Sequence, residues 1–192
     1  MEAKQRQTID ELTAAWTQEE RVELIDGEIV KRPMARIEHG LAQSGLNAEI
    51  ALITRHGGPR GWWLATEVSV QYSEHQCPSH DLAGWRKERL PSPPRGGMTL
   101  APDWVCEILS PGHERKDLVH HLLLLQRAGV PYYWVLSPED RSLIAYALEG
   151  EGEGYRIIAS AAYRQDEKTP GRVRIPPFEA GEIDLGYVFG VD

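Results

Sequence analysis

The sequence predicts an α/β domain, and three observations carry that prediction. Apolar runs of strand length at 62–72, 103–109, 132–137 and 143–148 are interleaved with helix-period patterns at 37–55 and 117–128. Turn-forming residues punctuate them, at Asp26-Gly27, Gly57-Gly58-Pro59, Ser110-Pro111-Gly112 and Gly129. The 192 residues, 41% hydrophobic and 26% charged, suffice for a real core in one domain spanning 1–192 and leave little for a second.

Each element follows from its own chemistry. Thr8 precedes Glu11 by three residues, a capping box that opens a short helix over 8–16. RVELI and EIVKR flank Asp26-Gly27, where both central positions of a two-residue turn accept positive φ, so a hairpin is expected. Leu41, Leu46, Ile50 and Ile53 recur at helical spacing within 37–55, the longest helix candidate. WWLATEVSVQY at 62–72 and DLAGWRK at 81–87 read as strands, and the proline- and glycine-rich stretch 89–99 as a loop. Residues 103–109 form the central strand, and DLVHHLLLLQRA at 117–128 a helix with a wide apolar face closed by Gly129. YYWVLS and LIAYAL, joined by a turn at 138–141, give two more strands, and 155–163 adds another. The tail from 165 is too irregular to place.

Composition excludes several function classes. No run approaches the roughly 18 apolar residues of a membrane span, and MEAKQRQTIDEL lacks the apolar core of a signal peptide, so a cytoplasmic protein is expected. The two cysteines, Cys77 and Cys106, lack CxxC spacing, and Cys106 reads as a core residue. His75, Cys77 and His80 have a zinc-like spacing, but no second ligand pair follows and a polar connecting loop explains them more simply. A formal charge of −8 argues against broad attraction to nucleic acid, so a polynucleotide would need a local patch.

Within the central strand, Trp104, Cys106 and Ile108 alternate to one face while Asp103, Val105, Glu107 and Leu109 take the other. Glu107 therefore lies among apolar neighbours, where an ionised carboxylate costs several kcal/mol unless it is paired or bound to metal. Two readings stay open: a buried salt bridge to Arg or Lys, or a metal ligand. A hard divalent cation needs a second acidic ligand within about 4–5 Å. Asp103 is too far, since four residues of strand span roughly 13 Å. Asp81, heading a neighbouring strand, is the natural partner. Two carboxylates on two strands form the layout of a metal-dependent phosphodiesterase, whose ion polarises the phosphoryl oxygen and lowers the pKa of the attacking water.

Five segments together carry a resemblance: VELIDGEIV at 22–30, Glu38-His39, HDLAGWRKERLP at 80–91, LAPDWVCEILSPG at 100–112 and GVPYYWVLSP at 129–138. In order and spacing, residues from about 20 to 148 resemble the Uma-type restriction endonuclease-like family, a branch of the PD-(D/E)XK nuclease-like superfamily. The resemblance implies a central mixed β-sheet flanked by helices, a restriction-endonuclease-like core, and hydrolysis of DNA phosphodiesters by a metal-activated water. It implies Mg2+ or Mn2+ held by Asp81 and Glu107, the first matching the family's metal-binding aspartate and the second the acid of its (D/E)XK element.

Four positions depart from the pattern. His80 stands before Asp81 where the family has proline, and Leu109 stands where a strict E-x-K would place lysine. The family carries its lysine on the following helix, four residues after an aspartate; counted from Asp117, that position is His121. Ser137 replaces the aspartate of the family's YWxxDP segment. Histidine is mostly neutral at pH 7, so His121 is expected to act as general base or water-positioning group, with Asp117 one turn earlier orienting its ring. The bland alternative is an i,i+4 pair on a half-exposed helix face. His39 and Asp117 are supporting candidates around the acids, His39 alternatively packing or capping a helix start. Arg86, Lys87 and Arg89 form a basic cluster expected beside the site, as a phosphate-contacting edge or a solvated strand end. Trp62, Trp63, Trp85 and Trp134 read as core or sheet-face residues. The rival function is a degenerate homologue that binds nucleic acid or a protein without cutting, and a homodimer stays open.

Overall fold

The computed structural model describes residues 6–18, 21–32, 34, 36–55, 61–110, 114–150, 153–166 and 171–191, and at 114–117 the backbone alone. Helix α1 (Ile9–Trp16) starts at Thr8, whose amide donates to the Glu11 carboxylate at 2.8 Å, the returning half of the capping box. The hairpin β1 (Val22–Ile25) and β2 (Glu28–Lys31) turns through Asp26 and Gly27 at φ +50° and +81°, as a tight turn of this type requires. This two-stranded ribbon stands apart from the main sheet, tied to it by a bridge between Leu24 and Cys77 and by the Ser79 amide, which donates to Glu23 Oε2 at 3.0 Å.

The main sheet has six strands in sequential order: β3 (Trp62–Ser69), β4 (Ser79–Arg86), β5 (Trp104–Ile108), β6 (Tyr132–Ser137), β7 (Ser142–Leu148) and β8 (Tyr155–Ala162). The sheet is mixed, because β5 and β6 run parallel while the other pairs are antiparallel. Two strands can lie side by side in parallel only through a crossover, and helix α3 (Glu114–Arg127) supplies it.

Alternation along β4 to β6 divides the core into two layers. On one face Leu82, Trp104, Cys106, Trp134 and Leu136 pack with Ala42, Leu46 and Ile50 of helix α2 (Ile37–Thr54). On the other, Ala83, Trp85, Val105, Tyr133 and Val135 pack with Leu118, Leu122 and Leu125 of α3. Phe178 joins the first layer, its ring 4.9 Å from that of Trp62, 5.0 Å from Trp104 and 5.6 Å from Trp134.

The tail, whose pattern places no element, closes on α2 through the short strand β10 (Ile183–Asp184) and the one-turn helix α4 (Leu185–Val188), with β9 (Arg172–Val173) paired to β10. Gly45 permits that contact, since a Cβ there would stand 2.9 Å from the Val188 Cα. Strand β4 begins two residues before its expected start, so His80 is a fully buried strand residue and not part of a polar loop. Trp85 and Trp134 are buried, and Trp62 and Trp63 are half-buried at the sheet edge. Among the described residues no helix is long and apolar enough to cross a membrane.

Candidate active site

The β4–β5 ladder runs through Gly84–Trp104, Ala83–Val105 and Leu82–Cys106, which sets Asp81 opposite Glu107 at the end where the pairing stops. Each carboxylate turns toward the other strand. The Ile108 amide donates to Asp81 Oδ2 at 2.7 Å, and the Asp81 amide points at Glu107 Oε2 from 3.4 Å. The acids are 7% and 8% exposed, so both are buried without being sealed.

Three histidines converge on this pair. His39, in the first turn of α2, places Nε2 3.4 Å from Asp81 Oδ1. His121, from α3, places Nδ1 3.5 Å from Glu107 Oε1. His80 puts Nδ1 only 2.6 Å from that same oxygen, and its Nε2 lies 2.9 Å from the Tyr72 hydroxyl. Glu107 is thus met by imidazoles and not by the Arg or Lys of a simple buried salt bridge.

Burial and charge act on these groups in opposite directions. Burial pushes the Glu107 carboxyl well above the usual carboxylate range, with nearby His121 pulling it down and Asp81 pushing it further up. Burial pushes the His80 imidazole down to about 4, against the raising effect of Glu23 and Asp81. His39 moves the other way, because its hydrogen bond to Asp81 raises it more than burial lowers it.

The acids open into a cavity of about 520 Å³ between the β1–β2 hairpin, the ends of β4 and β5, and the facing parts of α2 and α3. Arg32, His39, Glu67, Asp81, Glu107 and His121 are among the residues lining it. The side chain of Asp117 lies outside the described residues, as does that of Lys116.

The sequence from 9 to 176, most of the chain, matches the Uma2 family, described as "Putative restriction endonuclease". The chain belongs to the Uma2 family. A solved structure, described as "a putative nuclease belonging to DUF820" from Anabaena variabilis ATCC 29413, superposes with a TM-score of 0.71 at 21% identity, over 96% of this chain and 98% of that one. At that identity the likeness establishes the fold, a mixed sheet flanked by helices. No curated protein matches the chain in sequence at a significant level.

This Uma2 chain also recruits residues that sequence reasoning missed. Glu67 sits in β3 between the pairs Thr66–Leu82 and Val68–His80, with φ at +51°. A glutamate in the left-handed region is strained by about 1–3 kcal/mol, and such strain gathers at functional sites. Its carboxylate meets the Arg32 guanidinium at 2.6 Å and accepts from Gln43 Nε2 at 3.0 Å. Gln43 donates in turn to the Asp81 carbonyl at 2.8 Å, and Arg32 lies 3.9 Å from Asp81 Oδ1. No local pattern marks Arg32 or Glu67, because their partners are brought by folding from distant segments.

Two expectations need correction. The basic cluster is not beside the site: Arg86 and Lys87 stack over Trp62 and Trp63 at 4.6 and 4.3 Å, and Arg89 pairs with Asp103 at 2.7 Å. Asp81 and Arg86 stand at opposite ends of β4, roughly 16 Å apart at the rise of a strand. The histidines flanking Cys77 have separate partners, His75 bonding the Gln7 carbonyl at 2.7 Å and His80 the Glu107 carboxylate, while Cys77 packs with Leu12, Val22 and Leu24. His120 reaches Asp26 at the hairpin turn, 3.6 Å away.

Proposed function

We propose that this protein is a divalent-metal-dependent endonuclease that hydrolyses DNA phosphodiesters at the Asp81–Glu107 site. The observation carrying the reading is that two opposed strand-end carboxylates share one recess with His39 and His121. The donor set fits a cation. His39, Glu67 and Asp81 each offer a ligand atom, all within 4.8 Å of one another, and Glu107 adds a second buried carboxylate facing Asp81.

Restriction-endonuclease-like families generally use divalent metals. Here Asp81 and Glu107, aided by Glu67 and His39, would hold Mg2+ or Mn2+; the nitrogen ligand suits Mn2+ better than Mg2+. Such an ion, when bound, polarises the phosphoryl group and acidifies water. His121 stands in the lysine's position against Glu107 and takes or orients the water's proton. Arg32 supplies a fixed positive charge, placed to meet the phosphate beside Asp81. The DNA strand enters by this recess, since a chain of net charge −8 offers no broad basic track.

One observation favours the rival, a non-cutting binding homologue: Arg32 already pairs with Glu67 beside Asp81, and imidazoles already occupy Glu107. Plasmid nicking with magnesium or manganese, with Asp81→Ala as control, separates the two. Metal-dependent nicking lost in Asp81→Ala supports the nuclease. A wild type that binds metal and leaves the plasmid intact supports the rival.

A further inference from the structure

The family pattern places proline before the first metal-binding acid, and proline has no side-chain hydrogen-bonding group with which to reach a neighbour. This chain has His80 there. The ring is 0% exposed and both nitrogens are engaged, Nδ1 with Glu107 Oε1 at 2.6 Å and Nε2 with the Tyr72 hydroxyl at 2.9 Å. Tyr72 meets the imidazole edge-on, with ring centroids 5.9 Å apart. His121, another departure from the family pattern, approaches the same Glu107 oxygen from 3.5 Å, its ring 6.0 Å from that of His80. Two replaced positions therefore meet on one carboxylate oxygen.

We propose that His80, backed by Tyr72, is a positioning residue that clamps Glu107 through Oε1 and thereby fixes Oε2 toward Asp81 and the metal site. The proposal rests on the nuclease reading for its catalytic consequence, but the clamp itself does not. Hydrogen-bond counting selects one arrangement of protons. Among the described residues the Tyr72 hydroxyl has a single hydrogen-bond partner, His80 Nε2. If Tyr72 donates to Nε2, then Nδ1 carries the ring's proton and donates to Glu107, and all three groups are satisfied. The opposite tautomer has Nε2–H donating to the phenol oxygen and leaves the hydroxyl proton of the half-buried Tyr72 with no acceptor among the described residues, which is the costlier arrangement. Partners that orient a metal-binding group act in this way in metal sites generally.

The test compares four variants with wild type. His80→Asn places an amide near the position of Nδ1 and keeps the donor to Glu107. His80→Gln matches the histidine's length better, but puts its amide near Nε2 and loses that donor. His80→Leu removes both bonds, and Tyr72→Phe removes only the backing hydroxyl. In manganese-dependent plasmid nicking, Asn is expected to stay within about fivefold of wild-type kcat, while Gln and Leu lose about 10- to 100-fold with KM for DNA little changed. Tyr72→Phe should fall between them. A merely volume-filling role would rank Gln above Asn, and that ranking overturns the proposal. Imidazole nitrogen NMR of the metal-free protein gives a readout independent of activity: Nδ1 protonated and Nε2 bare is expected. An Nε2–H tautomer overturns the clamp even if the enzyme is active. The expected tautomer in a protein that cleaves nothing keeps the clamp and sinks the nuclease reading instead.

Discussion

Replacing Asp81 separates two tasks that its carboxylate performs at once. Oδ2 accepts the Ile108 amide at 2.7 Å in a strand end that is almost fully buried. Asp81→Ala removes that acceptor, and an orphaned buried amide costs about 1–3 kcal/mol. Asp81→Asn keeps a carbonyl oxygen for the amide and loses the charge, and with it the attraction to His39 and Arg32. For a chain of 192 residues, each kcal/mol moves Tm by about 2–4 °C. With chelator present, Asp81→Ala should therefore melt roughly 2–12 °C below wild type. Asp81→Asn should melt closer to wild type than Asp81→Ala does, because the Ile108 amide keeps its acceptor and the relieved repulsion on Glu107 offsets part of the lost attraction to His39 and Arg32. Manganese at about 100 times its Kd adds about 2.7 kcal/mol to a protein that binds it only when folded, or roughly 5–10 °C here. That gain should appear in wild type and be lost from both variants. Differential scanning calorimetry with chelator, then with millimolar manganese, measures both effects. A manganese shift that survives in Asp81→Asn, or is missing from wild type, refutes Asp81 as a metal ligand. An Asn variant as unstable as the Ala variant refutes its role as acceptor for Ile108.

His121→Ala should lower metal-dependent nicking by about 10²- to 10⁴-fold, the usual worth of a positioned proton-transfer group, whereas His121→Lys should retain or raise it; equal inactivity of both would show that this position does not determine cleavage. His39 has a folded pKa raised above its unfolded value of about 6.5, so it adds stability that is complete below that pH and lost as pH rises through the folded pKa. The urea midpoint of chelated wild type should accordingly fall above pH ~6.5 more steeply than that of His39→Gln, and parallel profiles would contradict the His39–Asp81 bond. Phe178→Ala, deleting a ring that touches three tryptophans, should cost about 3–5 kcal/mol; a loss under about 1 kcal/mol in urea denaturation would mean that the tail does not carry the core as described.

What the sequence revealed was what local pattern encodes. The Thr8–Glu11 box, the Asp26-Gly27 turn and the alternation of 103–109 each act through neighbours a few residues apart, and each has its expected form in the fold. Asp81 and Glu107 were legible because an acid among apolar strand residues is costly and needs a reason. The tail was not, because β9 and β10 are two residues each and are held by tertiary contacts, β10 against α2 and β9 against β10 and α4. Glu67 gave no signal, since a left-handed glutamate inside a strand has no signature in composition or periodicity. Arg86 and Lys87 misled because charge clustering says nothing of distance along a strand, and the tryptophans beneath them hold them at its far end. His80 reads as a loop residue in the sequence because its partner Tyr72 comes from the preceding segment and Glu107 from another strand.

The crossed amide contacts at the end of the β4–β5 ladder have an evolutionary consequence. Asp81 and Glu107 finish the sheet's own hydrogen bonding, so selection for folding alone favours a side-chain oxygen acceptor at both positions. Neither can drift by one residue, because a one-residue slip turns the side chain to the opposite face. Divergence in such a site is channelled to the positions that touch the acids without closing the ladder, here 80 and 121. Gain, loss or retuning of cleavage among relatives should therefore be written at those two positions first, with a side-chain oxygen acceptor kept at 81 and 107 on either side of the transition.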